Sequence, residues 1–122
     1  MIRASSAEAF TIDVSPEPGV LRVQLAGDAN MDGVERFGQA LTSVHAQAIS
    51  GRCTEVIVDV RQLEFMNSAC FKKLVTWIAA IEEVEVDLRY RIRFLSNPQM
   101  HWQRRSLHAL HCFALELVSV EV

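Results

Sequence analysis

Several absences bound what this chain can be. Its three cysteines, Cys53, Cys70 and Cys112, are odd in number and share no paired spacing. That excludes a secreted disulfide framework and reads as reduced thiols in a cytosolic setting. There is no basic surplus: 12 Lys and Arg stand against 15 Asp and Glu, a net charge of −3, which argues against bulk binding to a phosphate backbone. The longest apolar run, Leu74 to Ile81, is already interrupted by Thr76 and falls far short of a membrane span. The N-terminus, MIRASSAEAF, holds no apolar stretch of signal-peptide length. No repeat or low-complexity tract is present. The expectation is a cytoplasmic protein without a membrane anchor.

What the chain does have is an ordinary globular balance, 50% hydrophobic and 22% charged over 122 residues. That length fits one domain, 1–122, able to bury roughly two-thirds of the surface of its unfolded chain without metal or disulfide staples. Residues 1–9 are small, polar and aperiodic, and are expected to fray.

Period-two alternation predicts a strand over Phe10–Val14, a turn over Ser15–Gly19 and a second strand over Val20–Leu25 that Gly27 ends, together a hairpin. Val34, Phe37, Leu41 and Val44 form one helical stripe, with Asp32 and Glu35 at its positive end and Ser50-Gly51 closing it. Glu55–Val60 is β-branched and nearly continuous, the mark of a central strand covered on its faces. Asn67 or Ser68 then caps a second helix with the stripe Phe71, Leu74, Val75, Ile78 and Ile81. An acidic turn leads to the strand Tyr90–Leu95, which Asn97-Pro98 breaks. A helix near His101–Cys112 and a last strand within Leu115–Val122 follow. The order ββαβαβαβ predicts an α/β fold, a mostly parallel central sheet with an antiparallel N-terminal edge hairpin and helices packed against it.

This order and two loops resemble the STAS domain, the fold of bacterial anti-sigma-factor antagonists and of the cytoplasmic tails of sulfate transporters. Gly27-Asp28-Ala29-Asn30 is similar to the family's Gly-Glu-Leu-Asp after the second strand. Val58-Asp59-Val60 through Leu63-Glu64-Phe65-Met66-Asn67-Ser68 is similar to the third-strand run that ends in Phe-Met-Asp-Ser-Ser-Gly. The resemblance implies that Ser68 is the phosphoacceptor, with Asn67 on the preceding aspartate, Ala69 on the second serine, Cys70 on the glycine and Asn30 on the first loop's aspartate.

Both family aspartates are thus amides here, which keep size and hydrogen bonding but lose charge. The family likeness further implies binding without catalysis, cofactor or metal. The partner would be a serine kinase of the histidine-kinase-like ATPase fold that holds a sigma factor, and a phosphatase would reset the switch. The expected docking surface is Asp28, Asn30, Asn67, Ala69 and Cys70 with Lys73 and Trp77 on an exposed flank of the second helix. The competing expectation is a constitutive scaffold or homodimer subunit that has lost the switch.

Other constellations are weaker. Arg89, Arg91, Arg93, Arg104 and Arg105 lie in an acid-free stretch interleaved with Tyr90, Phe94 and Trp102. Period two, however, sends Tyr90 and Phe94 to the face opposite the strand arginines. A solvated stripe, or one that meets an acidic partner, is therefore expected over a nucleic-acid platform. His108, His111 and Cys112 share a helix face at metal-ligand spacing, yet a fourth ligand depends on the fold. Ser68 or Cys70 with a histidine would make a nucleophile and base, but no glycine-rich elbow accompanies them.

Overall fold

The computed structural model describes residues 10–122; the fraying expected for residues 1–9 lies outside the described residues. Strand β1 (Phe10–Glu17) pairs antiparallel with β2 (Val20–Ala29). A single 3-10 turn, Met31–Gly33, leads into α1 (Val34–Ser50). Then come β3 (Glu55–Met66), α2 (Ser68–Glu82), β4 (Arg91–Leu95), α3 (His101–Phe113) and β5 (Val118–Glu121). The five strands lie in chain order, β1-β2-β3-β4-β5, and all pairings after the hairpin are parallel.

Sequential order fixes where the helices go. Parallel crossovers are right-handed, and three of them stepping the same way across a sheet leave every helix on one face. Accordingly Leu21, Val23 and Leu25 of β2, Val56, Val58 and Val60 of β3, and Ile92 and Phe94 of β4 share one core with Phe37, Leu41 and Val44 of α1, Leu74, Ile78 and Ile81 of α2, and Leu107 and Leu110 of α3.

Among the described residues the central strand is therefore covered by helices on one face only, not on both. On the other face Ile57 is buried but stands outside that core, aligned with Arg22 and Arg93 of the flanking strands. Arg93 donates to Glu55 at 3.1 Å and to Glu121 at 2.9 Å, tying three strands together. The Arg61 guanidinium, 2.8 Å from Asp59, holds that carboxyl below its ordinary range. Part of the arginine stripe thus meets acids of its own chain, and Tyr90 and Phe94 sit in the core as expected.

Three boundaries differ from the sequence pattern. β1 runs on through Ser15-Pro16-Glu17, so the turn shrinks to Pro18-Gly19, where Gly19 takes φ +75°. Gly27 does not end β2; at φ +91° it sits beside a register shift, and the strand continues to Ala29. β3 extends six residues past Val60. Beyond Asp59 it has no register partner in β4 and pairs with β2 alone.

A side chain replaces the missing neighbour. Gln103 of α3, fully buried, donates from Nε2 to the carbonyls of Val60 (2.7 Å) and Leu63 (2.9 Å) and accepts at Oε1 from the Asn97 amide. A second buried polar chain links helices to sheet. Trp77 Nε1 donates to the Tyr90 hydroxyl at 2.7 Å, and that hydroxyl lies 2.6 Å from His45 Nδ1. With Trp77 on one lone pair, the Tyr90 proton is satisfied by donating to an unprotonated Nδ1. Burial also lowers the His45 pKa.

Two outcomes follow from these buried networks. Gln103→Leu strands two carbonyls and an amide, and is expected to cost about 2–4 kcal/mol of unfolding free energy. It should appear as a lower urea midpoint at unchanged m-value; a negligible shift would mean water replaces the amide. For His45, a depressed folded pKa means the unfolded chain binds more protons near neutrality. Its contribution is therefore full above pH 6.5 and is lost as pH falls below it. Stability measured from pH 7.5 to 5 should decline in the wild type and flatten in His45→Gln.

Candidate functional site

The paired extensions of β2 and β3 carry two loops out beyond the rest of the sheet and hold them together. Asp28 aligns with Phe65 and Ala29 with Met66, and the Asn67 amide donates to the Ala29 carbonyl at 2.9 Å. In the first loop Asn30 Oδ1 accepts from the Asp32 amide at 3.2 Å, and the Asn30 carbonyl accepts from Gly33 at 3.0 Å. Gly33 allows no side chain: a Cβ there would stand 2.8 Å from the Phe10 ring, which packs edge-on against Phe37. That contact presses the loop onto the core.

In the second loop Asn67, with extended backbone, is the N-cap of α2. Its Oδ1 accepts from the Cys70 amide at 2.8 Å. Asn67 rather than Ser68 therefore fills the capping role. Ser68 is the first helical residue and is exposed, and its hydroxyl makes no hydrogen bond to a described residue. The Ser68 and Ala69 amides, unpaired among the described residues, point with the helix dipole toward solvent, a setting that suits an anion.

The structure brings Asp28, Asn30, Asn67, Ser68 and Ala69 together at one surface, and it removes two of the expected contact residues from it. Cys70 is completely buried, its thiol 3.9 Å from the Asn30 carbonyl. Burial pushes that thiol's pKa up, with Lys73 opposing, so it is not an activated nucleophile. Trp77 does not stand on an exposed flank: it is 3% exposed and bonded to Tyr90. The stripe of α2 is rotated accordingly, with Cys70 and Trp77 buried while Phe71 and Val75 are only half-buried. Lys73 is half-buried; its Cδ would lie 3.1 Å from a Cβ placed on Gly38 of α1. It lines a groove of about 580 Å³ between the two helices with Glu35, Gln39, Thr42, His45 and Thr76.

Two surface residues escaped the sequence reading. Met31, in the turn after β2, and Phe65, near the end of β3, are 71% and 47% exposed. The signal available was a large apolar residue at a non-periodic position, Met31 directly after the first motif and Phe65 within the second. Elsewhere, His111 Nδ1 is spent on the Val118 carbonyl at 2.7 Å, and His108 Nε2 lies 3.4 Å from Cys112 Sγ. Among the described residues no three His, Cys, Asp or Glu side chains converge as a metal site. No helix among them is long and apolar enough to cross a membrane.

No family model and no curated protein sequence matches the chain. Solved structures do. An anti-sigma factor antagonist from Mycobacterium paratuberculosis is similar at TM-score 0.65 and 18% identity, over 87% of this chain and 83% of that one. The Bacillus cell-fate determinant SpoIIAA in its phosphorylated form gives TM-score 0.60 and 17% identity, over 93% and 92%. An antisigma-factor antagonist STAS domain from Rhodobacter sphaeroides gives 0.52 and 13%, over 70% and 84%. Likeness at these identities establishes the fold: a five-stranded, mostly parallel sheet with an antiparallel hairpin, of the SpoIIAA and STAS type.

The division of labour between adjacent residues is measurable in stability. Asn67→Ala should cost about 1 kcal/mol, the usual worth of a cap. Ser68→Ala should change stability by less than about 0.5 kcal/mol. Equal losses in chemical denaturation would show that the serine shares the cap.

Proposed function

We propose that the protein is a regulatory binding domain of the anti-sigma-factor-antagonist type, gated by phosphorylation of Ser68. The observation that carries this reading is a serine hydroxyl that is exposed and unbonded among the described residues, at the start of the helix that follows the strand end carrying exposed Phe65. Exposed apolar side chains on the segments that carry a polar, modifiable group are what a protein partner can cover. The partner fitting this fold is a serine kinase of the histidine-kinase-like ATPase class, docking on Met31, Phe65, the Asp28–Asn30 loop and the start of α2.

In the gating step the Ser68 oxygen attacks the γ-phosphorus of ATP held by the kinase. The serine proton passes to a base on the kinase, and ADP leaves. The phosphoserine carries about −1.5 to −2 charges. Within the domain the free amides of α2 accommodate them. Under a docked apolar surface the same charges would have to be desolvated, so the partner is released. A phosphatase returns the domain to its binding form.

A second reading, a constitutive scaffold or dimer subunit, has its own support. Asn30 and Asn67 each direct their side-chain oxygen at a backbone amide, so both amides are explained by capping alone. The two readings separate by experiment. Intact mass of the protein from its native cells, with and without phosphatase, should show one removable phosphate mapping to Ser68. Ser68→Asp should weaken capture of the kinase by about tenfold or more, or 1.4 kcal/mol, while Ser68→Ala retains it. Unmodified protein in growth and stress, with equal capture by both variants, would leave the scaffold reading.

A further inference from the structure

At the opposite edge of the sheet, independently of Ser68, β5 has no partner strand on its outer side among the described residues. The Ile92 amide bonds the Leu117 carbonyl at 2.7 Å and the Ser96 amide bonds the Glu121 carbonyl at 2.8 Å. Backbone groups of 117, 119 and 121 therefore turn toward β4, and those of Val118, Val120 and Val122 turn outward. The Val118 pair is already used, its amide by the Ala114 carbonyl (3.0 Å) and its carbonyl by His111 Nδ1–H (2.7 Å). The Val120 amide and carbonyl and the Val122 amide have no partner among the described residues.

Beside this edge runs a groove of about 490 Å³. Arg104, His108 and His111 form its helix side at spacings of four and three, so they stand in one row on α3. Val120 and Val122 form its sheet side, and no acidic residue lines it. Arg104 has no carboxylate partner among the described residues; it reaches only the Pro98 carbonyl at 3.3 Å. Apolar surface accumulates at this end too: Phe113, Leu115, Val120 and Val122 are all exposed.

An open strand edge beside a helix groove is the geometry of β-augmentation, in which an extended segment gains backbone bonds from the edge and side-chain selection from the groove. We propose that this groove takes an extended acidic segment of a partner protein as a sixth strand. Antiparallel or parallel, such a segment would bond to the Val120 amide and carbonyl. Every second side chain would face the groove, where carboxylates meet Arg104 and the two imidazoles. A second copy of this chain fits less well, because two β5 edges side by side would bring two Arg104 and His108 rows together. The same row thus disfavours self-pairing at an otherwise aggregation-prone edge.

The probe is an N-acetylated, C-amidated pentapeptide alternating Glu and Val, compared with the Lys and Val analogue, titrated into the whole 15N-labelled protein. The acidic peptide should shift the Val120 and Val122 amides and the Arg104 side chain, and the basic one should not. Arg104→Glu, a change at an exposed residue, should weaken acidic-peptide binding at least about tenfold, whereas Ser68→Asp should leave it unchanged. Shifts absent at Val120, equal binding of both peptides, or an Arg104→Glu variant that binds as well as wild type would each overturn the proposal. So would a peptide-free dimer in sedimentation that Val120→Lys dissociates, since the edge would then be occupied by a second copy.

Discussion

The Gln103 amide stands in for a strand. β3 outruns its neighbour β4 after Asp59, and the carbonyls of Val60 and Leu63 on that side face a buried space that no ladder reaches. Unpaired, such groups cost more than most single contacts in a small domain return. One side chain from α3 satisfies both, and its own oxygen takes the Asn97 amide that starts the turn into the same helix. The outer half of β3 is thereby held rigid without a strand beside it. Because β2 pairs along that half, the two loops at its end inherit a fixed separation. The Asn67 to Ala29 hydrogen bond is the last rung of the ladder that Gln103 makes possible.

Sequential right-handed crossovers settle the remainder of the architecture. With the described helices on one face, charged side chains pair on the other, Arg93 with Glu55 and Glu121 and Arg61 with Asp59. Ion pairs of this partly exposed kind add little net stability; their use here is to occupy arginines whose backbone positions would otherwise present an unpaired basic stripe. Arg104, outside that network and on the helix side, is left with a different fate. The described residues consequently divide their surface: a sheet face of paired charges, a surface around Ser68 at one end of β2 and β3, and a basic groove at the β5 edge.

At the Ser68 patch the proposed function rests on a separation of roles between neighbouring residues. A capping serine would be tied to a backbone amide and lost to a partner. Asn67 takes that bond and leaves the neighbouring hydroxyl with none among the described residues. Gly33 under the Phe10 ring and the fully buried Cys70 under the first loop keep both loops seated, so the exposed groups project from a rigid base. On the proposed function, local order of this kind would lower the entropy a partner must remove on docking.

The order of strands and helices, the parallel sheet with its edge hairpin and the stripe of α1 were all legible in the sequence. Each rests on a period, a cap or a turn residue within a few positions of itself. Less legible were the lengths: Gly27 and Val60 read as strand ends because nothing local reveals that β2 and β3 support one another beyond them. Trp77 and Cys70 read as surface because a helix's buried arc is set by what packs on it, here Tyr90 with His45 and the first loop, from elsewhere in the chain. The sequence by itself determined which elements form and in what order. Only the tertiary structure decided which faces are closed, because burial and the pairing of polar groups are properties of neighbours brought together from distant positions.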